Sequence, residues 1–280
     1  MLELTHEGVL RLLPDRAMDS HKGNFGKILL LCGSKGYTGA AALAAMGALR
    51  SGAGLVYLGV PESIYGIEAV KLTEPIVFPL PDTFGTYSAD AVTDVSSALP
   101  GKNAVLIGCG MGKSVGTLEV LRTVLLQDSC PVVVDADGIN LLAEHKDMLR
   151  GRKMPTILTP HPGEFQRLGG DMEISREAAA VKMAKDLKCI IVLKGHRTII
   201  TDGTYTYCNP TGNPGMAVGG SGDVLAGMIT GFLGQGLTPL DAAVVGAWLH
   251  GAAGDICAAE IGQYGMLPTD MLNVLPRLLK

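Results

Sequence analysis

The feature that most constrains this 280-residue chain is a series of short apolar runs in which hydrophobic and polar residues do not alternate. They lie at 27–32, 55–60, 104–107, 132–135, 156–159 and 189–193. A strand with one wet face alternates, so an unbroken run marks a strand covered on both faces, as in parallel sheets between helix layers. Between the runs lie segments with helical patterning at 38–51, 115–126, 139–149 and 175–187. The first is dominated by alanine, which allows close packing against a sheet. This alternation predicts an α/β fold, doubly wound, with a mostly parallel central sheet and helices on both faces. Residues 197–209 read as a β-hairpin turning at Asp202-Gly203. Two helices close the chain. One spans 240–259, with Thr238 as N-cap, Pro239 in its first turn and Asp241 behind them; the other runs from Pro268 through Leu279. With no linker, repeat or low-complexity stretch, 1–280 reads as a single domain.

Composition narrows the partners. A net charge of −4 gives no argument for nucleic acid or an anionic membrane. Any anion must therefore be held by local features. The 38 glycines in a chain that is 47% hydrophobic point to tight turns around a buried sheet. Six widely spaced cysteines, with no C-x-x-C, read as buried free thiols of a reducing compartment. The first residues lack the basic and apolar regions of a signal peptide, and no apolar run reaches membrane-spanning length without interruption. The expected location is the cytoplasm.

The stretch Asn209-Pro-Thr-Gly-Asn-Pro-Gly-Met-Ala-Val-Gly-Gly-Ser-Gly-Asp223 precedes an apolar run beginning at Val224. Glycines let backbone amides approach an anion, and a helix starting at Gly222 or Asp223 would aim its N–H groups and positive dipole end at the same place. Phosphate is the natural occupant. Asp223 repels such a ligand; it reads either as an N-cap or as a base that takes a proton from a hydroxyl in line with a phosphoryl group.

Other segments carry weaker signals. Gly108-Cys-Gly-Met-Gly-Lys-Ser114 misses the Walker A spacing, because the first glycine would fall at Ile107. It survives as a glycine turn at a strand's C-terminal end, where open α/β sheets bind ligands. In Asp135-Ala-Asp137, alternate side chains leaving a strand diverge, so one carboxylate is expected to cap the next helix rather than form a metal pair. Thr159-Pro-His-Pro-Gly-Glu-Phe165 is a stiff loop whose His161 can touch a ligand. Its Glu164 can hold Mg²⁺, directly or through water, or simply occupy a helix's first turn. Lys194-Gly-His-Arg-Thr198 reads as a phosphate clamp or a solvated turn. Residues 21–27 read as a loop over an anion or as the turn by which the chain enters the sheet. His250, in an apolar helix with Trp248 and Asp255, reads as a hydrogen-bonded core histidine.

Taken in order, His21-Lys-Gly23, Gly33-Ser34 with Thr38-Gly-Ala-Ala41, Gly108-x-Gly110, Thr159-Pro-His-Pro-Gly-Glu164, Lys194-Gly195-x-x-Thr198, Asn209-Pro-Thr-Gly-Asn213 and Gly220-Ser-Gly-Asp223 resemble the NAD(P)H-hydrate dehydratases of the ribokinase-like superfamily. The resemblance runs from about Ser20 to the end. It implies ADP-dependent dehydration of (S)-NADHX and (S)-NADPHX to NADH and NADPH, in which the ring hydroxyl is phosphorylated, phosphate is lost and AMP is formed. Eukaryotic members use ATP where bacterial ones use ADP. By the same resemblance Asp223 is the catalytic base, and Ala41, Gly110, His161 and Asp223 surround the hydrate. Lys194, Gly195, His196, Arg197, Thr198, Asn209, Gly220, Ser221 and Gly222 surround the nucleotide. Mg²⁺ is expected between the phosphates with Glu164 as a partner through water, and a homotetramer is expected.

Two departures are visible: Cys109 stands where many relatives have proline, and Ser221 where many have threonine. Both leave the backbone plausible. The family often carries an N-terminal epimerase domain for which this chain begins too late, so epimerisation of the R-hydrate is expected from a separate protein. Two alternatives are kept. A thiamine-precursor kinase, acting on hydroxymethylpyrimidine or hydroxyethylthiazole, would share the Gly-x-Gly-Asp element but gives no reason for the His161 and Asn209 loops together. A nucleotide sensor without turnover would gain nothing from Asp223.

Overall fold

The computed structural model describes residues 2–280. Twelve strands follow in chain order: β1 (Leu2–Glu3), β2 (Lys27–Leu31), β3 (Leu55–Pro61), β4 (Ile76–Leu80), β5 (Asp82–Thr83), β6 (Thr86–Tyr87), β7 (Ala104–Ile107), β8 (Val132–Val134), β9 (Thr156–Leu158), β10 (Ile190–Leu193), β11 (Ile199–Thr201) and β12 (Thr206–Cys208). The helices are α1 (His6–Leu10), α2 (Thr38–Arg50), α3 (Glu62–Lys71), α4 (Ala91–Ala98), α5 (Val115–Gln127), α6 (Ala136–Glu144), α7 (Pro162–Arg167), α8 (Arg176–Leu187), α9 (Ser221–Gly234), α10 (Pro239–Glu260) and α11 (Pro268–Leu278). Ten strands form one sheet in the order β1-β12-β11-β10-β9-β8-β7-β2-β3-β4, while β5 and β6 pair as a separate hairpin. Neighbours from β10 to β4 run parallel; β11 is antiparallel to both β10 and β12. The mostly parallel sheet and the 197–209 hairpin follow the sequence expectation.

The unbroken apolar runs have the anticipated cause. Successive residues of β2 enter different cores: Ile28 and Leu30 pack with α2, α9 and α10, whereas Leu29 and Leu31 pack with α4, α5 and α8. The small residues of α2 do more than approach the sheet. A side chain added at Gly227 of α9 would sit 2.1 Å from the Ala44 carbonyl oxygen, so the two helices meet backbone to backbone.

Several expectations need correction. Between Pro61 and Asn103 the patterning suggests no elements, yet α3, β4, β5, β6 and α4 lie there. Strand β4 carries Pro79 and sits at the sheet's edge, where proline is tolerated and the apolar signal is broken. The helix expected over 139–149 begins earlier as α6, and a separate 3₁₀ turn covers Lys146–Leu149. Helix α9 starts at Ser221, with Gly220 as N-cap at φ 97°, so Asp223 is not a cap. Helix α10 is long and apolar enough to cross a membrane by length and composition, at a mean hydropathy of 1.3, but 78% of that window is buried in the fold. Its apolarity is that of a core helix. Residues 21–27 form the entry turn into β2: His21 caps the 3₁₀ turn Lys22–Phe25, and the Arg16 guanidinium lies 3.9 Å from the Phe25 ring centroid.

Candidate active site

The C-terminal ends of the parallel strands β2, β7, β8, β9 and β10 lie side by side, and the loops leaving them carry the polar groups flagged in the sequence. At the end of β8, Asp135 is 1% exposed. It occupies the N-cap position of α6 without capping it, contrary to expectation. Its carboxylate turns instead to β9 and β10. Oδ1 accepts from Thr159 Oγ1 at 2.6 Å and from Lys194 Nζ at 2.9 Å. Asp137 diverges, and its Oδ2 accepts the Gly112 amide at 2.9 Å. Burial alone would lower the Lys194 pKa, but the Asp135 and Glu164 carboxylates hold it above the ordinary lysine value.

Asp223 faces this ion pair from the first turn of α9, whose N-terminus no side chain caps. One carboxylate oxygen from each of Asp223 and Asp135, together with Cys109 Sγ, lie within 4.8 Å of one another. Burial, then the Asp135 charge, raise the Asp223 pKa from 3.8 to about 6, with Cys109 and Lys194 pulling the other way. That value suits a base working near neutrality.

The stiff 159–165 loop is a capping box at the start of α7. His161 Nδ1 accepts from the Gly163 and Glu164 amides, and Glu164 Oε2 accepts from the His161 amide at 2.8 Å. With Nδ1 an acceptor, the neutral ring carries its proton on Nε2. Glu164 is 4% exposed, its Oε2 is 3.9 Å from Lys194 Nζ, and burial raises its pKa. It therefore serves the turn and faces the site together.

The glycine-rich loop is held from below by α10. Asp255 accepts the Gly212 amide and the Asn213 side chain, each at 2.9 Å. Asn209 Nδ2 donates to the Ala247 carbonyl at 2.9 Å, and Thr211 Oγ1 donates to the Trp248 carbonyl at 2.9 Å. The side chain of Asn209 is thus committed to fixing the loop. His250 is the buried, hydrogen-bonded histidine anticipated: its Nε2 lies 3.5 Å from Ser221 Oγ, and burial lowers its pKa to about 4.

These loops enclose a cavity of about 840 Å³. Its walls include Asp223, His161, Glu164, Asn209, the whole Lys194–Thr198 loop and Gly220 through Gly222. Ala41 and Gly110 lie outside that wall, at the β2–β7 end of the rim. Ala41 is fully buried, and a side chain at Gly110 would come within 2.8 Å of the Ala40 Cβ. Arg197 Nε donates to Cys208 Sγ at 3.2 Å.

Four residues to which the family resemblance assigns no role also shape the site: Asp135, Thr159, Arg176 and Asp255. Arg176, in α8, donates to the carbonyls of Leu193, Lys194 and His196, and so fixes the whole Lys194 loop. Its sequence signal is a lone arginine in a helix's first turn, indistinguishable from a solvated charge.

The NAD(P)H-hydrate dehydratase family model matches residues 28–277. A bifunctional NAD(P)H-hydrate repair enzyme of Moorella thermoacetica is 45% identical over 96% of this chain and 52% of its own length. The ADP-dependent (S)-NAD(P)H-hydrate dehydratase of Bacillus subtilis is 36% identical over 99% of this chain and 97% of its own. A crystal structure of the Bacillus subtilis ADP/ATP-dependent NAD(P)H-hydrate dehydratase, co-crystallised with ATP and Mg²⁺, superposes with a TM-score of 0.84 at 34% identity, covering 98% of this chain and 96% of that one. The chain spans about half the length of the bifunctional relatives it matches. On this match and this site, the chain belongs to the NAD(P)H-hydrate dehydratase family, built on a ribokinase-like fold.

Proposed function

We propose that this protein is a carbon–oxygen lyase that repairs hydrated nicotinamide nucleotides, converting (S)-NADHX and (S)-NADPHX to NADH and NADPH with ADP or ATP as phosphoryl donor. The observation that carries this is Asp223, a half-desolvated carboxylate beside the Lys194–Asp135 pair, in the first turn of an uncapped helix lining a cavity of about 840 Å³.

Asp223 takes the proton of the ring hydroxyl, and the oxygen attacks the nucleotide's terminal phosphorus in line. ADP then leaves as AMP, or ATP as ADP. Lys194 and the first-turn amides of α9 face the charge moving between the oxygens. Phosphate is a far better leaving group than hydroxide. The ring nitrogen's lone pair expels it, and loss of a proton from the adjacent carbon restores the double bond. Glu164, an oxygen donor facing the cavity, fits a hard cation, which takes oxygen ligands and retains water. Mg²⁺ bound there would neutralise phosphate charge. The six buried, unpaired cysteines support a cytoplasmic location. A homotetramer belongs to the same reading.

The test is incubation with purified S-hydrate, Mg²⁺ and either nucleotide. The near-ultraviolet absorbance of the dihydronicotinamide ring should return, with one AMP or ADP formed per ring restored. A stable phosphorylated alcohol from a thiamine precursor would point to the kinase alternative, and nucleotide binding without turnover to the sensor.

A further inference from the structure

The cavity described above reaches Asp223 from the Lys194 side, and the loop after β7 forms a wall on another. One carboxylate oxygen of Asp223 lies within 4.8 Å of Cys109 Sγ, and Gly110 follows directly at φ 61°. The loop leaving β2 is laced to that wall. The Gly33 amide donates to the Cys109 carbonyl at 2.8 Å, and Ser34 Oγ donates to the Gly110 carbonyl at 2.7 Å. A side chain added at Gly110 would come within 2.9 Å of the Tyr37 Cβ, so Tyr37 stands against the same wall.

The fold makes little use of the Tyr37 side chain. It occupies the N-cap position of α2 but makes no cap hydrogen bond, where Ser, Thr, Asp or Asn would stabilise the helix. The residue is 62% exposed. The loop that carries it is nevertheless fixed. The Tyr37 amide donates to the Ser34 carbonyl and the Lys35 amide to the Gly85 carbonyl, each at 2.8 Å. Lys71 Nζ donates to Thr38 Oγ1 at 2.7 Å. The space nearby is open, since a side chain at Gly36 or Gly39 would meet nothing within 4 Å. Gly39 lies in the first turn of α2 and outside the positive-φ region. Neither crowding nor backbone strain calls for glycine there, and alanine would favour the helix. Its missing side chain leaves room beside Tyr37.

The proposed chemistry states what arrives here. The hydroxyl to be phosphorylated must reach Asp223, while the donor's phosphates take the Lys194 side. The ring bearing that hydroxyl is left the Gly110 side. It is uncharged and largely apolar on its faces, and a tyrosine covers such a face with a broad, stiff ring while keeping its polar end in water.

We propose that Tyr37 is a substrate-binding residue for the hydrate: its ring packs on the hydrated nicotinamide and shields the hydroxyl-bearing carbon from water. This rests on the function proposed above.

The experiment measures kcat and KM for the S-hydrate, and KM for ADP, in the wild-type protein, Tyr37→Phe and Tyr37→Ala. Phenylalanine keeps the face and should stay within about threefold of wild type in kcat/KM for the hydrate, the scale of one exposed hydrogen bond. Alanine removes the face and should raise KM for the hydrate roughly tenfold or more, the scale of one apolar ring withdrawn from contact. In both variants the KM for ADP, the Tm without ligand and the rise in Tm with ADP should stay at their wild-type values. An alanine variant with wild-type KM for the hydrate overturns the proposal. So does a phenylalanine variant as impaired as alanine, which assigns the effect to the hydroxyl. An alanine variant that is unfolded, lower in Tm or equally weakened toward ADP also overturns it, by making Tyr37 part of the fold. If the wild type turns over no hydrate, the functional reading falls and this inference with it; if the wild type is active and alanine matches it, this inference falls alone.

Discussion

Burial and the Asp135 charge lift Asp223 from 3.8 to about 6, so between those values the folded chain keeps a proton that the unfolded chain has released. Stability therefore declines as pH rises through that window and levels off above it. Replacing Asp223 by Asn removes the decline. The variant should lose about 10²–10⁴-fold in turnover, keep its ADP affinity, and unfold at a higher temperature than wild type at neutral pH. The thermal advantage should disappear in acid, below the ordinary carboxylate range. Calorimetry across pH checks this, and a variant no more stable than wild type at neutrality would mean that Asp223 is not held at the cost its burial implies. Glu68 presents the same sign without a function. It is fully buried on α3, neither carboxylate oxygen has a hydrogen-bond partner, and burial raises its pKa although Lys71 Nζ lies 3.6 Å away. Glu68→Gln should stabilise the protein by about 1 kcal/mol at neutral pH and by nothing in acid, with activity unchanged; urea midpoints at the two pH values measure it.

At the scale of elements, the contact between α2 and α9 decides where Asp223 points, because the two helices touch through backbone at Gly227 and Ala44. A methyl group at Gly227 cannot be absorbed by a side-chain rotation. Gly227→Ala should cost about 1–3 kcal/mol in a denaturant titration and lower kcat more than it raises either KM, by tilting the helix that carries the base. An unaltered midpoint would show that the helices have slack. The same elements show what the chain discloses. Strands β2 and β7 to β10 were readable because each is an uninterrupted apolar run, and the loops of His161, Lys194 and Asp223 because glycine, proline and charge cluster within a few residues. Asp135 was readable only as a cap. Its partner Lys194 lies 59 residues away, and no local pattern reports a pairing at that separation. Arg176 was hidden for the same reason, and β4 because Pro79 breaks its run.

Across the whole molecule, the cavity is assembled from the ends of β8, β9 and β10, the first turn of α9 and the middle of α10, so a nucleotide in it ties together elements from Asp135 to Gly251. Binding to the folded state alone stabilises it by mass action. ADP at about 100 times its dissociation constant should add about 2.7 kcal/mol, a rise of roughly 5 °C or more in Tm for a chain of this size. Lys194→Met should abolish most of that shift, because the cation facing the phosphates is gone. It should also lower the Tm of the ligand-free protein, because Asp135, 1% exposed, then keeps only Thr159 and Cys109 as partners. Asp223→Asn should retain the ADP shift in full. The three proteins thus separate nucleotide capture, core electrostatics and chemistry by one thermal measurement, with and without ADP. An ADP shift that survives in Lys194→Met would remove the Lys194 loop from the nucleotide site, whatever the activity of the variant.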